Sequence, residues 1–141
     1  MKTSYKIALF VIFFIALAGI LFGLYMFNLK DKDLRKVKPD FIISATDLQK
    51  AYEGNETTAN SSYLNKVIEV AGIIGDIKSG EGNTVNVSLK TENPLSSVIC
   101  TFQSMTDPLK FKTGDQITIR GKCSGFLLDI LLNNCVVVQG K

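Results

Sequence analysis

The chain has 141 residues, with 16 Lys and Arg, 13 Asp and Glu, and neither His nor Trp. The absence of His excludes histidine-based acid–base catalysis and histidine metal sites. Residues 66–141 hold eight basic and seven acidic side chains. This part of the chain is therefore almost neutral, and a strong phosphate-binding surface is not expected on it.

The first predicted element is an apolar helix. Residues 7–29 are 23 consecutive residues without a charge. A helix of this length spans roughly 35 Å at about 1.5 Å per residue, which is enough to cross a hydrocarbon core of about 30 Å. We therefore predict a transmembrane anchor over residues 1–29. A signal peptide cut after Ala18 is disfavoured, because the cut would leave an apolar stretch at the new N-terminus.

Two features of the flanks give opposite orientations for this anchor. Five Lys and Arg follow the apolar run within residues 30–38, whereas only Lys2 and Lys6 precede it, and this favours a cytoplasmic C-terminal side. A short N-terminus before a long folded domain is instead typical of an exported signal anchor. We predict a location in the bacterial inner (cytoplasmic) membrane with the folded domain on the external, periplasmic side, and the cytoplasmic side is the alternative.

A charged tether is predicted over residues 30–43, and a folded domain over residues 44–141. Ser44 and Asp47 are residue types that cap helix N-termini, so a short helix is predicted to begin near Leu48. Gly54 and Asn55 weaken its middle. One face of this helix collects residues that can pack on a barrel, namely Leu48, Ala51, Tyr52, Ala59 and Tyr63.

Five strands are predicted after this helix, because apolar and polar residues alternate with the two-residue period of half-buried strands. A turn or short helix is predicted at residues 105–111, between the third and fourth strands. A bulge is predicted at Asn133 and Asn134 in the fifth. The strands cover residues 67–77, 84–90, 98–103, 113–123 and 126–138.

Three strands, a connecting segment and a closing hairpin are the arrangement of an OB-fold barrel. Glycines within the strands suit the bends that a small barrel needs. The predicted fold class is therefore mainly β, a five-stranded OB-fold Greek-key barrel preceded by a short α-helix and an N-terminal transmembrane helix.

A family resemblance extends over roughly residues 45–138. It is carried by residues 63–74, 98–102, 112–115 and 121–125, with shorter matches in the leading helix and at Asn134 and Cys135. These segments resemble the bacterial tRNA-anti-like OB-fold proteins, which are mostly small exported or membrane-anchored proteins without an assigned activity. The resemblance implies the fold and the family. It implies no catalytic residues and no contact with tRNA.

The outward positions of the first three predicted strands form the candidate ligand face. Their side chains are polar and mostly uncharged, which suits an oligosaccharide, a peptide or a protein partner better than a polyanion. Since no catalytic motif is present, we predict a non-catalytic binding or assembly module of the bacterial envelope that needs no cofactor. The candidate residues are Glu69, Asn86, Ser88, Lys90, Thr101 and Gln103.

The alternative function is a membrane-tethered module for single-stranded nucleic acid or tRNA, with Lys90, Arg120 and Lys122 along its groove. Proteins that bind single strands combine a basic groove with stacking aromatic side chains. No predicted strand interleaves exposed aromatic and basic residues, so nucleic-acid binding is the weaker hypothesis. A third hypothesis is a barrel that only supports an envelope complex.

The chain contains three cysteines, Cys100, Cys123 and Cys135. A metal site is not expected, because no two cysteines are close in sequence and no histidine is present. A cysteine nucleophile would also lack a histidine base. Cys100 and Cys123 occupy apolar positions, where buried thiols are expected. If the domain is external, a disulfide can form, and the predicted pair is Cys123 with Cys135.

Overall fold

The structure is a computed structural model that describes residues 2–27, 33–104 and 108–140. The chain divides into two compact units, residues 1–32 and residues 33–141. The first unit contains helix α1 (Lys2–Phe27). Its span from Thr3 to Met26 is long and apolar enough to cross a membrane, and none of it is buried. Helices of this kind serve as membrane anchors or as signal sequences. Residues 28 and 29 of the predicted anchor lie outside the described residues.

The second unit is built from short 3-10 turns, two helices and six strands. Its elements in chain order are the 3-10 turn Leu34–Lys36, β1 (Phe41–Ser44), α2 (Ala45–Gly54), α3 (Glu56–Tyr63), β2 (Val67–Ser79), β3 (Val85–Leu89), β4 (Val98–Phe102), the 3-10 turn Pro108–Lys110, β5 (Gln116–Phe126) and β6 (Ile130–Gly140).

Strands β2 to β6 form a closed barrel, which confirms the predicted five-stranded OB fold. The strand order is β1-β2-β3-β4-β6-β5, and β2 also pairs with β5 to close the ring. β4 and β6 run parallel, whereas the other barrel pairs are antiparallel. The register of β2 against β3 shifts between Ile74 and Asp76. Such a bulge bends a strand, and here it lies just beyond the point where β2 changes its partner from β5 to β3.

The barrel core follows the alternation seen in the sequence. Successive side chains of a strand point to opposite faces of the sheet, and the inward positions of β3 and β4 are at most 2% exposed. Helices α2 and α3 add Leu48, Tyr52 and Ala59 to the same buried cluster. Burial of each large apolar side chain contributes roughly 1.5–3 kcal/mol to folding. The inward residues of β3 and β4 are Val85, Val87, Leu89, Val98, Cys100 and Phe102.

The single predicted helix is in fact two helices. Ser44 caps α2 by accepting a hydrogen bond from the backbone N–H of Asp47 at 3.0 Å. Asn55 is extended, with φ of −163°, and its side chain caps α3 by accepting from the N–H of Thr58 at 3.0 Å. Because a capping residue is not itself helical, the helix is interrupted at the Gly54–Asn55 position that the sequence marked as weak.

The predicted charged tether is wrong for the residues that the structure describes, because they belong to the folded unit from Asp33 onward. The backbone N–H of Val67 donates to the Asp40 carboxylate at 2.9 Å, and the Asp40 N–H donates to the Val67 carbonyl at 2.8 Å. Strand β1 then pairs in parallel with β2, with Ile42 opposite Glu69. The domain boundary therefore moves from residue 44 to residue 33. Residues 30–32 lie outside the described residues.

Two predictions for the second half of the barrel have different outcomes. The segment between β4 and β5 contains a 3-10 turn at Pro108–Lys110, while residues 105–107 lie outside the described residues. The predicted bulge in the last strand is confirmed. Asn134 has φ of 53°, and the register of β6 against β5 shifts next to it.

Candidate binding face

The outward surface of β2, β3 and β4 brings polar side chains together. Lys78 on β2 is opposite Asn86 on β3, which is opposite Thr101 on β4. Two pairs further along, on the same face of the sheet, Asp76 is opposite Ser88. We call these five residues the polar face. Three of the six predicted ligand residues, Asn86, Ser88 and Thr101, lie in it.

Side chains of the polar face are hydrogen-bonded to one another and to the neighbouring loops. The Thr101 hydroxyl donates to the Asn86 amide oxygen at 2.8 Å. The Ser88 hydroxyl donates to Ser97 Oγ at 3.0 Å, and the Ser97 hydroxyl donates to the Asp129 carboxylate at 2.8 Å. These bonds position the side chains, and they also satisfy much of their hydrogen-bonding capacity.

The two charges of the polar face are paired with each other. Lys78 Nζ lies 3.0 Å from the Asp76 carboxylate. The hydrogen bond from Lys78, together with one from the Ile77 backbone N–H, holds the pKa of Asp76 below its usual value. Because both groups are exposed, the pair contributes little to stability. Its effect is to leave the face without net charge.

Three predicted ligand residues lie apart from the polar face. Gln103 follows the end of β4 and donates to the Asn134 amide oxygen at 3.2 Å, so it borders the face. Lys90 is exposed and lines a depression together with Ser44 before α2 and Gly72 on β2. Glu69 lies near the opposite end of β2 and forms an ion pair, as described next.

Arg120 makes its contacts within the folded unit, to one carboxylate and to three backbone carbonyl groups. Its guanidinium lies 2.6 Å from the Glu69 carboxylate, and the two side chains are only 12% and 16% exposed. Its Nη1 also donates to the carbonyl oxygens of Leu34, Arg35 and Val37 at 2.8–3.1 Å. Arg120 therefore ties the 3-10 turn that begins the folded unit to the barrel wall.

The predicted basic groove is not formed by the described residues. Lys90 is bonded through its backbone to Ile73, and Lys122 is opposite Val67. These contacts are six residues apart on β2, which is roughly 20 Å at about 3.4 Å per residue. With Arg120 held by Glu69, the three basic residues do not form a continuous phosphate-binding surface.

Aromatic side chains of the described barrel pack on one another or in the core. Phe41 meets Tyr63 edge to face with ring centroids 5.0 Å apart, and Tyr52 stacks on Phe126 at 5.5 Å. Phe102 is buried, as the sequence predicted. Among the described residues, the polar face therefore contains no aromatic platform on which bases could stack.

One end of the barrel exposes three leucines that are not among the predicted site residues. Leu95, in the loop between β3 and β4, is 86% exposed, and Leu127 and Leu128, in the β5–β6 turn, are 80% and 75% exposed. We call these three residues the leucine tip. The Ser96 hydroxyl donates to the Leu128 carbonyl at 2.7 Å, which holds the two loops together. Leu128 has φ of 155°, a value that residues with side chains rarely adopt.

The predicted last strand, residues 126–138, includes Leu127 and Leu128, which the structure places in the turn before β6. A usable signal was present in the sequence. Two consecutive leucines cannot both point inward from a strand, and the following Asp129 is a turn residue. In the structure, the Asp129 carboxylate accepts from the Ser97 backbone N–H at 2.7 Å, so this aspartate fixes the turn.

All three thiols are free and buried in the structure. Cys123 lies 3.3 Å from the hydroxyl oxygen of Tyr52, and burial together with this contact raises the pKa of the tyrosine. Burial raises the pKa of Cys135 as well, with a further contribution from the Cys100 thiol.

The predicted Cys123–Cys135 disulfide is therefore not supported, because the thiol next to Cys135 belongs to Cys100. In the described part of the chain, no group of three or more His, Cys, Asp or Glu could hold a metal ion.

Comparisons with known proteins agree with the barrel. A solved structure with the same fold is a lipoprotein from Klebsiella pneumoniae subsp. pneumoniae MGH 78578, for which nucleic-acid binding has been proposed. It has 24% sequence identity and a TM-score of 0.57, and the match covers 69% of this chain and 91% of that chain. No curated protein matches the chain. The profile of the tRNA_anti-like family matches residues 1–137. This match includes the N-terminal residues, whereas the resemblance seen in the sequence motifs begins only near residue 45. The chain therefore belongs to the tRNA_anti-like family.

Proposed function

We propose that the protein is a non-catalytic, membrane-anchored assembly module whose OB barrel binds a protein partner through the polar face and the leucine tip. The observation that carries this proposal is the continuity of the two surfaces. Ser88 in the polar face is bonded to Ser97, and Ser97 is bonded to Asp129 in the turn that presents Leu127 and Leu128. The two surfaces form one patch along a single side and end of the barrel.

The composition of this patch suits a protein partner. Protein interfaces combine an apolar centre, depleted of charged residues, with a polar rim. The leucine tip supplies exposed apolar side chains. Ile99 on β4 and Leu131 on β6 are register partners, and both are half-buried, so they add apolar surface. Removing a leucine from water is worth roughly 1.5–3 kcal/mol. Much of the binding energy would therefore come from the leucine tip, and the polar face would determine how the partner is oriented on the barrel.

The same observations make the other predicted ligands weaker candidates. An oligosaccharide would need hydroxyl and amide groups that are free to bond, but the Asn86 and Thr101 side chains are bonded to each other. A nucleic acid would need a basic groove and aromatic platforms, and Arg120 is already bonded to Glu69. Nucleic-acid binding remains the alternative function, because it is a frequent role of OB barrels.

The proposal includes α1 as a permanent anchor in the bacterial cytoplasmic membrane, with the barrel on the external side. The length and apolar character of Thr3–Met26 support the anchor. A direct test of the orientation is labelling of a C-terminal tag in intact and opened cells. Labelling in intact cells is the expected result. Labelling only in opened cells would place the barrel in the cytoplasm and favour the nucleic-acid alternative.

Site-specific photo-crosslinking tests the partner. A photoreactive amino acid at position 128 of the full-length chain, irradiated in cells, should yield one protein adduct. The matched control is Glu81, which is exposed in the turn that leads into β3, at the opposite end of β3 from the leucine tip, and it should yield no such adduct. Leu95→Asp with Leu127→Asp should reduce the adduct at least about tenfold, since two apolar contacts are lost.

Other crosslinking results would contradict the proposal. Equal adducts at positions 128 and 81 would mean collision without a specific site. Adducts to nucleic acid alone would establish the alternative function. If Asn86→Ala with Thr101→Ala abolished binding while the leucine variants had no effect, the polar face would be the binding site by itself, as an oligosaccharide ligand requires.

A further inference from the structure

Two cysteines on strands distant in sequence meet inside the barrel. Leu132 on β6 is the register partner of Cys100 on β4 and, on its other side, of Cys123 on β5. The Cys135 thiol donates to the carbonyl oxygen of that same Leu132 at 3.3 Å, and it also interacts with the Cys100 thiol and with the Thr101 backbone. Cys100 is 0% exposed and Cys135 is 5% exposed. The two thiols therefore share one buried site between β4 and β6.

The bulge in β6 directs Cys135 into this site. Ile130 and Leu132 point inward, and simple alternation would turn residue 134 inward next. Asn134 instead has φ of 53°, which breaks the alternation, and Cys135 is buried in its place. Gly121 on β5 leaves the space that the thiol occupies, since a Cβ at that position would lie 2.6 Å from Cys135 Sγ.

We infer that Cys100 and Cys135 are a modification site that forms an intramolecular disulfide linking β4 to β6. Cys135 is three residues beyond Leu132, the residue opposite Cys100, and its thiol reaches back to the Leu132 carbonyl. Closing the bond therefore requires a backbone adjustment that brings the two Cα atoms within about 4.4–6.8 Å. Cys123 does not compete, because its thiol is in contact with the Tyr52 hydroxyl. This inference is independent of the proposed partner-binding function.

The oxidant required is a disulfide, either of a small thiol or of an oxidoreductase. One cysteine, as its thiolate, attacks a sulfur of the oxidant and releases one thiolate, which leaves a mixed disulfide on the protein. The second cysteine attacks the protein-side sulfur of that mixed disulfide and releases the second thiolate. The two protein thiols lose two electrons, and their two protons go to the released thiolates. Because the site is buried, exchange takes place before the barrel has closed.

Refolding with glutathione tests the pairing. The full-length chain is unfolded and reduced, then refolded in detergent with reduced and oxidised glutathione, and remaining thiols are blocked. Trypsin releases residues 91–110 with Cys100, and chymotrypsin cuts after Phe126 to separate Cys123 from Cys135. Mass spectrometry should find the Cys100 peptide linked to the Cys135 peptide, with Cys123 blocked. The melting temperature of the oxidised protein should be higher by at least about 5 °C.

Matched variants separate the pairing from a general folding effect. Cys123→Ala should keep both the link and the rise in melting temperature, whereas Cys100→Val and Cys135→Ala should lose both. If Cys100→Val or Cys135→Ala does not fold, the peptide map of the wild-type chain, in which all three cysteines compete, decides the pairing. A link that includes Cys123 in the wild-type chain, or no intramolecular link at any glutathione ratio, would overturn the inference.

Discussion

Arg120 shows how one side chain can define where a domain begins. Its sequence context, an exposed strand position in a near-neutral barrel, suggested a solvated charge or a phosphate contact. In the structure its guanidinium is bonded to Glu69 and to three carbonyl groups of the preceding turn. A planar guanidinium with five donors can satisfy several acceptors at once, which a lysine ammonium cannot do in the same geometry.

Replacing Arg120 should therefore destabilise the barrel. Arg120→Ala would leave the largely buried Glu69 carboxylate without its cation and three carbonyl groups without their donor. The expected loss of unfolding free energy is about 2–4 kcal/mol. Chemical denaturation followed by far-UV circular dichroism measures it. Lys122→Ala is the matched control, because Lys122 is exposed on the same strand, and its effect should stay within about 0.5 kcal/mol. Equal losses in the two variants would contradict the structural role of Arg120.

At the scale of single elements, β6 is the strand whose inward-facing residues do not follow from alternation alone. The sequence located its bulge at Asn133 and Asn134 but did not show which side chain would face inward beyond it. That choice depends on the partner strand. Gly121 on β5 provides a gap, and Cys135 fills it. Leu132 Cβ is also close, at only 3.1 Å from the position that a Cβ on this glycine would take.

Gly121→Ala should consequently disrupt the β5–β6 pair. The added methyl group would overlap the Cys135 sulfur and crowd the backbone of Asn133, so a loss of about 1–3 kcal/mol is expected. Thermal and chemical unfolding of the purified chain measure this loss. Gly54→Ala is the control, since nothing lies within 4 Å of its Cβ position. Combining Gly121→Ala with Cys135→Ala should recover part of the loss. If the losses of unfolding free energy in the two single variants simply add in the double variant, the clash of the new methyl group is not with the Cys135 sulfur.

At the scale of the whole molecule, the folded unit is larger than the barrel. The turn Leu34–Lys36 and strand β1 are added to β2, β5 and β6 before α2 begins. Leu34 is 8% exposed, so this turn contributes to the buried surface of the domain. The charged sequence does not reveal this role, because most of its charged side chains face water. The contacts are made by its backbone, by Leu34 and by the Asp40 carboxylate.

Truncation tests the position of the boundary. A fragment of residues 33–141 should fold cooperatively. A fragment of residues 44–141 should be less stable by about 4 kcal/mol or more, because it loses β1, the burial of Leu34 and the acceptors of Arg120. Both fragments retain Ser44, the N-cap of α2, so capping is not a variable. Denaturant titration compares them, and equal midpoints would return the boundary to residue 44.

Local pattern was sufficient for the apolar helix, the five barrel strands, the inward positions of β3 and β4, and the cap at Ser44. Each of these depends on residues close in sequence: an uncharged run, a two-residue period, or a side chain that bonds to the next helical turn. The same alternation also identified Asn86, Ser88 and Thr101 as outward and polar. Tertiary structure decided the rest, because those features join residues far apart in the chain. They include the pairing of Arg120 with residues 34–37, the meeting of Cys100 with Cys135, and the loop contact that exposes the leucine tip. Such contacts follow from barrel closure and strand register, and no local period encodes them.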